Sequence, residues 1–223
     1  MVIVYTAILG GCDSLKPAPA GAECICFTDS VYEPQHVAKG WQFIVWDDKS
    51  WHVSEPRREA WRLRCEPHHT FNVYDTVVWV DASFTLTDLP KLLHDSAGHD
   101  LSALRHHKRS SAYDEGVEVV RNGQSDAADV STQLGGYRQE GFKPSALSIS
   151  CILVRQNNPR VTAFNERWDA EIRKHPGDNT QLSLDYCAWK TRVGVHHLQG
   201  VRKDNPYAIH DHADHKRRRK PYR

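Results

Sequence analysis

The 223-residue sequence predicts an α/β fold: a mixed, mostly parallel, Rossmann-like sheet flanked by helices. Three observations predict it. Short apolar runs recur at 2–5, 24–27, 43–46 and 77–80, each the size of a strand buried on both faces. Stretches with helical apolar periodicity lie between and after these runs. Hydrophobic residues make up 39% of the chain and charged residues 26%, which suits a packed domain rather than a disordered chain.

The first strand opens the chain at Met1-Val2-Ile3-Val4-Tyr5-Thr6. It has no basic leader, and its apolar run is too short for a signal peptide, so a cytoplasmic protein is expected. No apolar run approaches the ~20 residues that cross a bilayer, and no membrane partner is expected. Between the third and fourth strands lies a helix: Ser54 caps it, Pro56 suits its first turn, and residues 59–65 continue it. A later helix starts at Ser111, with Asp114 at the capping-box position and Tyr113, Val117 and Val120 on one face. Residues 123–143 are polar and weakly patterned, and read as a loop over a site or a surface excursion. Residues 148–154 read as another strand. Phe164, Trp168 and Ile172 then fall at helical spacing, and Pro176 ends that helix. Leu182, Tyr186 and Trp189 give a last helical stripe. One domain is expected over residues 1–207, followed by a basic tail over 208–223.

The six cysteines, at 12, 24, 26, 65, 151 and 187, form no C-x-x-C pair and read as reduced core thiols. The net charge of +1 hides an asymmetry. Lys216, Arg217, Arg218, Arg219, Lys220 and Arg223 are six basic residues in an acid-free tail, and without them 23 basic residues face 28 acidic ones. Such a tail is either a solvated terminus or an arm for nucleic acid or another polyanion. No P-loop, G-x-G-x-x-G or G-x-S-x-G sequence occurs, which excludes the usual phosphate-loop and hydrolase-elbow readings.

Two segments carry the chemistry. Asp81 follows the 77–80 run, and open α/β sheets place ligand sites just past the carboxyl ends of their strands. The plainer reading is an Asp that caps the next turn. His197-x-x-Gly200-x-x-Lys203 offers an imidazole for a divalent ion, a glycine that lets backbone approach a diphosphate, and an ammonium for a phosphate oxygen. With fourteen histidines in the chain, this pattern alone has little specificity. His68-His69 and His106-His107 read as surface or loop residues, and His210, His212 and His215 as a tail cluster able to bind metal adventitiously.

Together these segments resemble the metal–diphosphate apparatus of GT-A glycosyltransferases, the group that includes glycogenin and bacterial lipopolysaccharide galactosyltransferases. There a strand ends in D-x-D and a later H-x-x-G-x-x-K-P-W segment completes the site. Asp81-Ala82-Ser83 stands at the first motif, residues 204–207 replace Pro-Trp, and Arg62-Leu63 resembles that group's Arg-Leu pair. A resemblance over nearly the whole chain is to a glycosyltransferase-like family, long known as a domain of unknown function, in plants, bacteria and phages. It rests on residues 5–13, 26–29 and 79–83, His107 with Arg109, Tyr113-Asp114-Glu115, residues 164–168 and residues 181–184. The family's Arg-Asp-Gln motif is Asp178-Asn179-Thr180-Gln181 here, with its acid displaced.

The resemblance implies a GT-A-type fold and a glycosyltransferase acting on a nucleotide sugar, most simply a UDP-sugar, with a lean towards retention of configuration. It implies a divalent ion, Mn²⁺ or Mg²⁺, on Asp81, Ser83 and His197, bound more weakly than by a full D-x-D pair because Ser83 lacks a carboxylate. The donor would meet Thr6, Ala7, Arg62, Asp81, Gly200 and Lys203. Arg109, Tyr113 and Glu115 would contact sugar or acceptor, and Asp178 and Gln181 would be catalytic. Hydroxymethylated phage DNA, drawn in by the basic tail, is one acceptor; polysaccharide and protein hydroxyls are others. A different class of reading is a non-catalytic nucleic-acid-binding protein that has lost its metal through Ser83.

Overall fold

The computed structural model describes residues 1–10, 13–29, 40–46, 56–175 and 180–211. Within them the chain runs β1 (Val2–Ile8), β2 (Glu23–Thr28), β3 (Gln42–Val45), α1 (Pro56–Cys65), α2 (Pro67–Thr70), β4 (Thr76–Val80), β5 (Phe84–Leu86), α3 (Leu89–Asp95), β6 (Leu101–Arg105), α4 (Ala112–Arg121), α5 (Ala127–Gln139), β7 (Ser148–Gln156), α6 (Pro159–Lys174), α7 (Gln181–Thr191), β8 (Val195–Leu198) and β9 (Ala208–His210). Seven strands form one sheet in the order β3-β2-β1-β4-β7-β6-β8. Only β7 runs against the others, so the sheet is mixed and mostly parallel, as expected. The four early apolar runs are β1 to β4, and Val77, Val78, Trp79 and Val80 are all buried.

Alternation along the strands divides the interior into two layers. Tyr5, Val77, Trp79, Leu101, Ala103 and Leu153 face one side with Phe164, Trp168, Leu182 and Tyr186 from α6 and α7. Val4, Val78, Val80, Leu104 and Val154 face the other with Leu89 and Leu92 of α3 and Phe84, Leu86 and Ala208 of β5 and β9. β5 and β9 pair antiparallel as a small second sheet, so the fold continues past the boundary expected at 207. Residues 212–223, and with them the six basic tail residues, His212 and His215, lie outside the described residues. Cys24, Cys26, Cys65, Cys151 and Cys187 are free and buried, while Cys12 lies outside the description.

Ser111 caps α4 by accepting from Asp114 N at 3.1 Å, as its sequence predicts. The buried face of α4 is different from the expected one. Ala112, Glu115, Gly116 and Val119 are buried, and Val117 is 67% exposed. Gly116 sets this rotation. A Cβ there would stand 3.1 Å from Val130 Cγ1 and closer still to Leu134, so the glycine lets α5 lie directly on α4. α5 itself occupies the stretch read as loop. Asp126 caps it, and burial of Val130, Leu134 and Tyr137 outweighs the poor helix propensity of Gly135 and Gly136. α6 and α7 carry their expected stripes, except that Trp189 is largely outside the core. No helix among the described residues is long and apolar enough to cross a membrane.

Candidate active site

A cavity of about 480 Å³ opens at the carboxyl end of β4. Its walls are Trp61 and Arg64 of α1, Asp81, the 106–109 loop, Glu115 and Glu118 of α4, Ser150 and Cys151 of β7, Thr180 and Gln181 at the start of α7, and Arg202 and Lys203.

Asp81 does not cap the next turn with its side chain. Trp79 points the same way two residues earlier, and its indole Nε1 donates to Asp81 Oδ1 at 2.9 Å. Arg64 Nη2 donates to the same oxygen at 2.8 Å. Arg64 Nη1 donates to Ser150 Oγ at 2.8 Å and to Thr180 Oγ1 at 3.4 Å, and the guanidinium lies 4.9 Å from the Trp79 ring centroid. The backbone of Arg64 is anchored as well. Its carbonyl accepts from Tyr5 Oη at 3.1 Å and from Arg155 Nη2 at 2.7 Å. Arg155 is fully buried, and its other Nη donates to Tyr5 Oη at 3.1 Å. One buried arginine thus holds the end of α1 against the sheet and aims a second into the cavity.

On the facing wall Arg109 pairs with Glu115, which is buried in the first turn of α4. His106 Nδ1 accepts from the backbone N–H groups of Arg109 at 2.9 Å and Lys108 at 3.1 Å. Burial, then Arg109 and the neighbouring cations, lower its pKa to about 4, so the ring is neutral at neutral pH. His106 and His107 sit on a loop, one of the two alternatives expected for them, and that loop lines the cavity. His68, read with His69 as a surface or loop residue, is buried on α2.

Of the residues singled out in the sequence, Asp81, Arg109, Glu115, Gln181 and Lys203 line this cavity. Arg62 does not; it pairs with Glu59 and Glu66 along α1. Thr6 is fully buried and shares the face of Val4 and Ile8, the layer opposite Tyr5 and Trp79, while Ala7 packs against the Tyr5 layer. Tyr113 turns away, donating to the Phe142 carbonyl at 2.9 Å beneath Arg138. Asp178 lies outside the described residues.

The expected metal ligands are not brought together. His197 lies on β8 with Nε2 3.1 Å from Ser148 Oγ, and Ser148 in turn donates to Asp185. His196 stacks on His99 at 3.8 Å. Ser83 is buried in the turn before β5, and its carbonyl accepts from Asp211 N. Neither Ser83 nor His197 lines the cavity, and among the described residues no three His, Cys, Asp or Glu side chains converge to hold a metal. The residues present therefore do not fit the expected divalent ion. Gly200 also has a local reason. Its φ is +88°, and a Cβ would stand 2.8 Å from Asn205 Cα and closer still to the Asp204 carbonyl. The close approach is to its own hairpin, where Val201 and Asp204 bridge, and that hairpin presents Arg202 and Lys203.

Arg64, Ser150, Thr180 and Arg202 were not singled out in the sequence. Only Arg202, beside Lys203, and Thr180, beside Gln181, had a neighbour that pointed to them.

The chain is similar in structure to three solved glycosyltransferases. One is the bifunctional WbbM in its apo state, with 14% identity, 88% of this chain and 38% of that chain covered, and a TM-score of 0.48. Another is the galactosyltransferase LgtC in complex with donor and acceptor sugar analogs, at 12% identity, 89% and 73% coverage, and a TM-score of 0.46. A third is GlyE of Streptococcus pneumoniae TIGR4, at 11% identity, 89% and 45% coverage, and a TM-score of 0.47. The chain thus spans less than half the length of WbbM and of GlyE. A search of curated protein sequences found no match. A family model described as the TOD1/MUCI70 glycosyltransferase-like domain matches residues 28–215, most of the chain and all of the cavity's walls, and the chain belongs to that family.

Proposed function

We propose that this protein is a glycosyltransferase that binds a nucleotide sugar, most simply a UDP-sugar, in the cavity at the end of β4 and transfers the sugar to an acceptor hydroxyl. The observation that carries this reading is the set of four cations, Arg64, Arg109, Arg202 and Lys203, around the strand-end acid Asp81 in a family of glycosyltransferase-like domains. In such a transfer the bond from the anomeric carbon to the diphosphate oxygen breaks, and the diphosphate leaves with the electron pair. The acceptor oxygen bonds to the anomeric carbon and gives up its proton to the departing diphosphate. Charge develops on the diphosphate, so fixed cations beside it lower the barrier, usually by the largest single contribution. Arg64 is held by five hydrogen bonds and needs no rearrangement to act this way. Gln181, at the start of α7 and in the cavity wall, would meet the sugar or the acceptor.

The test is a screen of nucleotide sugars for hydrolysis and transfer, with products read by mass spectrometry. Hydroxymethylated DNA, oligosaccharides and protein are offered as acceptors, each with Mn²⁺, Mg²⁺ or EDTA. Release of a nucleoside diphosphate that Lys203→Ala suppresses supports the reading. No turnover of any donor, together with duplex-DNA binding that salt weakens, favours the non-catalytic nucleic-acid-binding alternative.

A further inference from the structure

We infer that the donor diphosphate is neutralised in this cavity by fixed side-chain cations, Arg64 foremost, and that nucleotide binding requires no divalent ion. The inference rests on the nucleotide-sugar reading above and deepens it.

A divalent cation needs several oxygen or nitrogen donors that converge and are not already bound to a cation. The carboxylates lining the cavity are Asp81, Glu115 and Glu118. Each is already paired with an arginine: Asp81 with Arg64, Glu115 with Arg109, and Glu118 with Arg121. Oδ1 of Asp81 already accepts from Arg64 and Trp79, so an ion would have only Oδ2 of this carboxylate and would sit beside the guanidinium charge. Two neutral oxygens bound to the same guanidinium are no better placed. Ser150 Oγ and Thr180 Oγ1 already accept from Arg64.

Arg64 has the properties that the ion would otherwise supply. It is permanently charged, and its planar fork matches phosphate oxygens. Its side chain is only 11% exposed and is fixed through backbone and head group alike. Asp81, Ser150 and Thr180 use three of its five N–H groups. Of the other two, the Nε–H is buried away from the cavity, which leaves the second Nη2–H for a phosphate oxygen. Arg202 and Lys203 add charge from the hairpin on the other wall. On this account Asp81 positions Arg64 and does not ligate a metal.

The test is calorimetric titration of the full chain with UDP and with GDP, in EDTA and in Mn²⁺, with thermal unfolding to check each variant. The expected result is that one nucleotide binds with dissociation constants that agree within about twofold between the two conditions. Arg64→Gln weakens that binding by about tenfold or more in EDTA, and Arg64→Lys, which keeps the charge without the fork, weakens it less. Asp81→Asn, which keeps an acceptor for Arg64 but not the charge that holds it, weakens binding less than Arg64→Gln does and to the same extent in EDTA and in Mn²⁺. Binding that improves by about tenfold or more with Mn²⁺, with the gain lost in Asp81→Asn, overturns the inference and leaves the nucleotide-sugar reading standing. No binding of either nucleotide in either condition overturns both. Should Arg64→Gln fail to fold, the Mn²⁺ and EDTA comparison on the wild type and Arg64→Lys still decides.

Discussion

Trp79 and Arg64 donate to one and the same oxygen, Oδ1 of Asp81, at 2.9 and 2.8 Å. The strand-end acid is therefore held from two directions, by an indole from its own strand and by a guanidinium from α1. A carboxylate fixed this way keeps its orientation when the cavity is empty, which is what a preorganised site requires.

Trp79→Phe removes one of these donors and part of a fully buried ring. It is expected to cost about 2–3 kcal/mol in urea unfolding, combining a lost charge-assisted hydrogen bond with a small void. Nucleotide affinity should fall with it, because Asp81 then orients Arg64 less firmly. Unchanged affinity in a folded Trp79→Phe protein would remove the indole from the site.

Gly200→Ala places a Cβ against the Asp204–Asn205 backbone at a left-handed φ. The expected loss of stability is about 1–3 kcal/mol, measured by thermal or urea unfolding. The hairpin has to shift to relieve the contact, so Arg202 and Lys203 move and nucleotide binding weakens. A folded Gly200→Ala protein that binds nucleotide like the wild type would show that the hairpin's cations are not needed.

Asp185 gives a pH signature. Its carboxyl accepts from Ser148 N at 2.8 Å and Ser148 Oγ at 2.5 Å, yet burial pushes its pKa up to about 6 against those bonds. A raised value in the folded state means that the folded chain binds this proton more tightly than the unfolded one. The carboxyl therefore costs stability as pH rises from about 4 through about 6. Asp185→Asn keeps an oxygen acceptor and cannot ionise. The wild type should lose on the order of 2 kcal/mol relative to it between pH 4 and pH 7 in urea titrations. Parallel curves would put the carboxyl's proton affinity at its ordinary value.

His106 has the opposite sign. Its folded pKa of about 4 lies below the ordinary 6.5, so the unfolded chain binds the proton first and stability falls as pH drops from about 6.5 towards 4. NMR of the imidazole should show a neutral ring at pH 6 with the proton on Nε2, because Nδ1 is an acceptor. A titration midpoint near 6.5 would remove His106 from the supports of the Arg109 loop.

Much of this arrangement is legible in the residues. The run 77–80 marks a buried strand on composition alone, and an acid just past it is a strand-end acid whatever its partners. The capping residue Ser111 is a local signal and appears as such. Arg64 is a different case. Arg62 and Arg64 lie two residues apart on α1, about 200° around a helix, so choosing between them chooses opposite sides. Docking decides the side, through Tyr5 and a buried Arg155 that lies 91 residues further along the chain from Arg64. No local pattern encodes that distance. α5 was hidden for a related reason: its glycines suppress the helical signal, and the face that stabilises it belongs to α4 and α7. His197, Gly200 and Lys203 satisfy a spacing, but β8 ends at Leu198 between the first two, so the imidazole stays on a strand while the ammonium leaves on a hairpin.

The β5–β9 ribbon has a consequence for how the protein comes together. Thr87 and Tyr207 are joined across 120 residues, and the hairpin with Arg202 and Lys203 sits just ahead of that join. The acid wall can form once α1 and β4 have met, but the cationic wall stays out of place until the far end of the sequence returns. Loop closure over such a span is slow to be rewarded. The cavity would therefore gain its full charge only as β9 pairs with β5, after the sheet around Asp81 is in place.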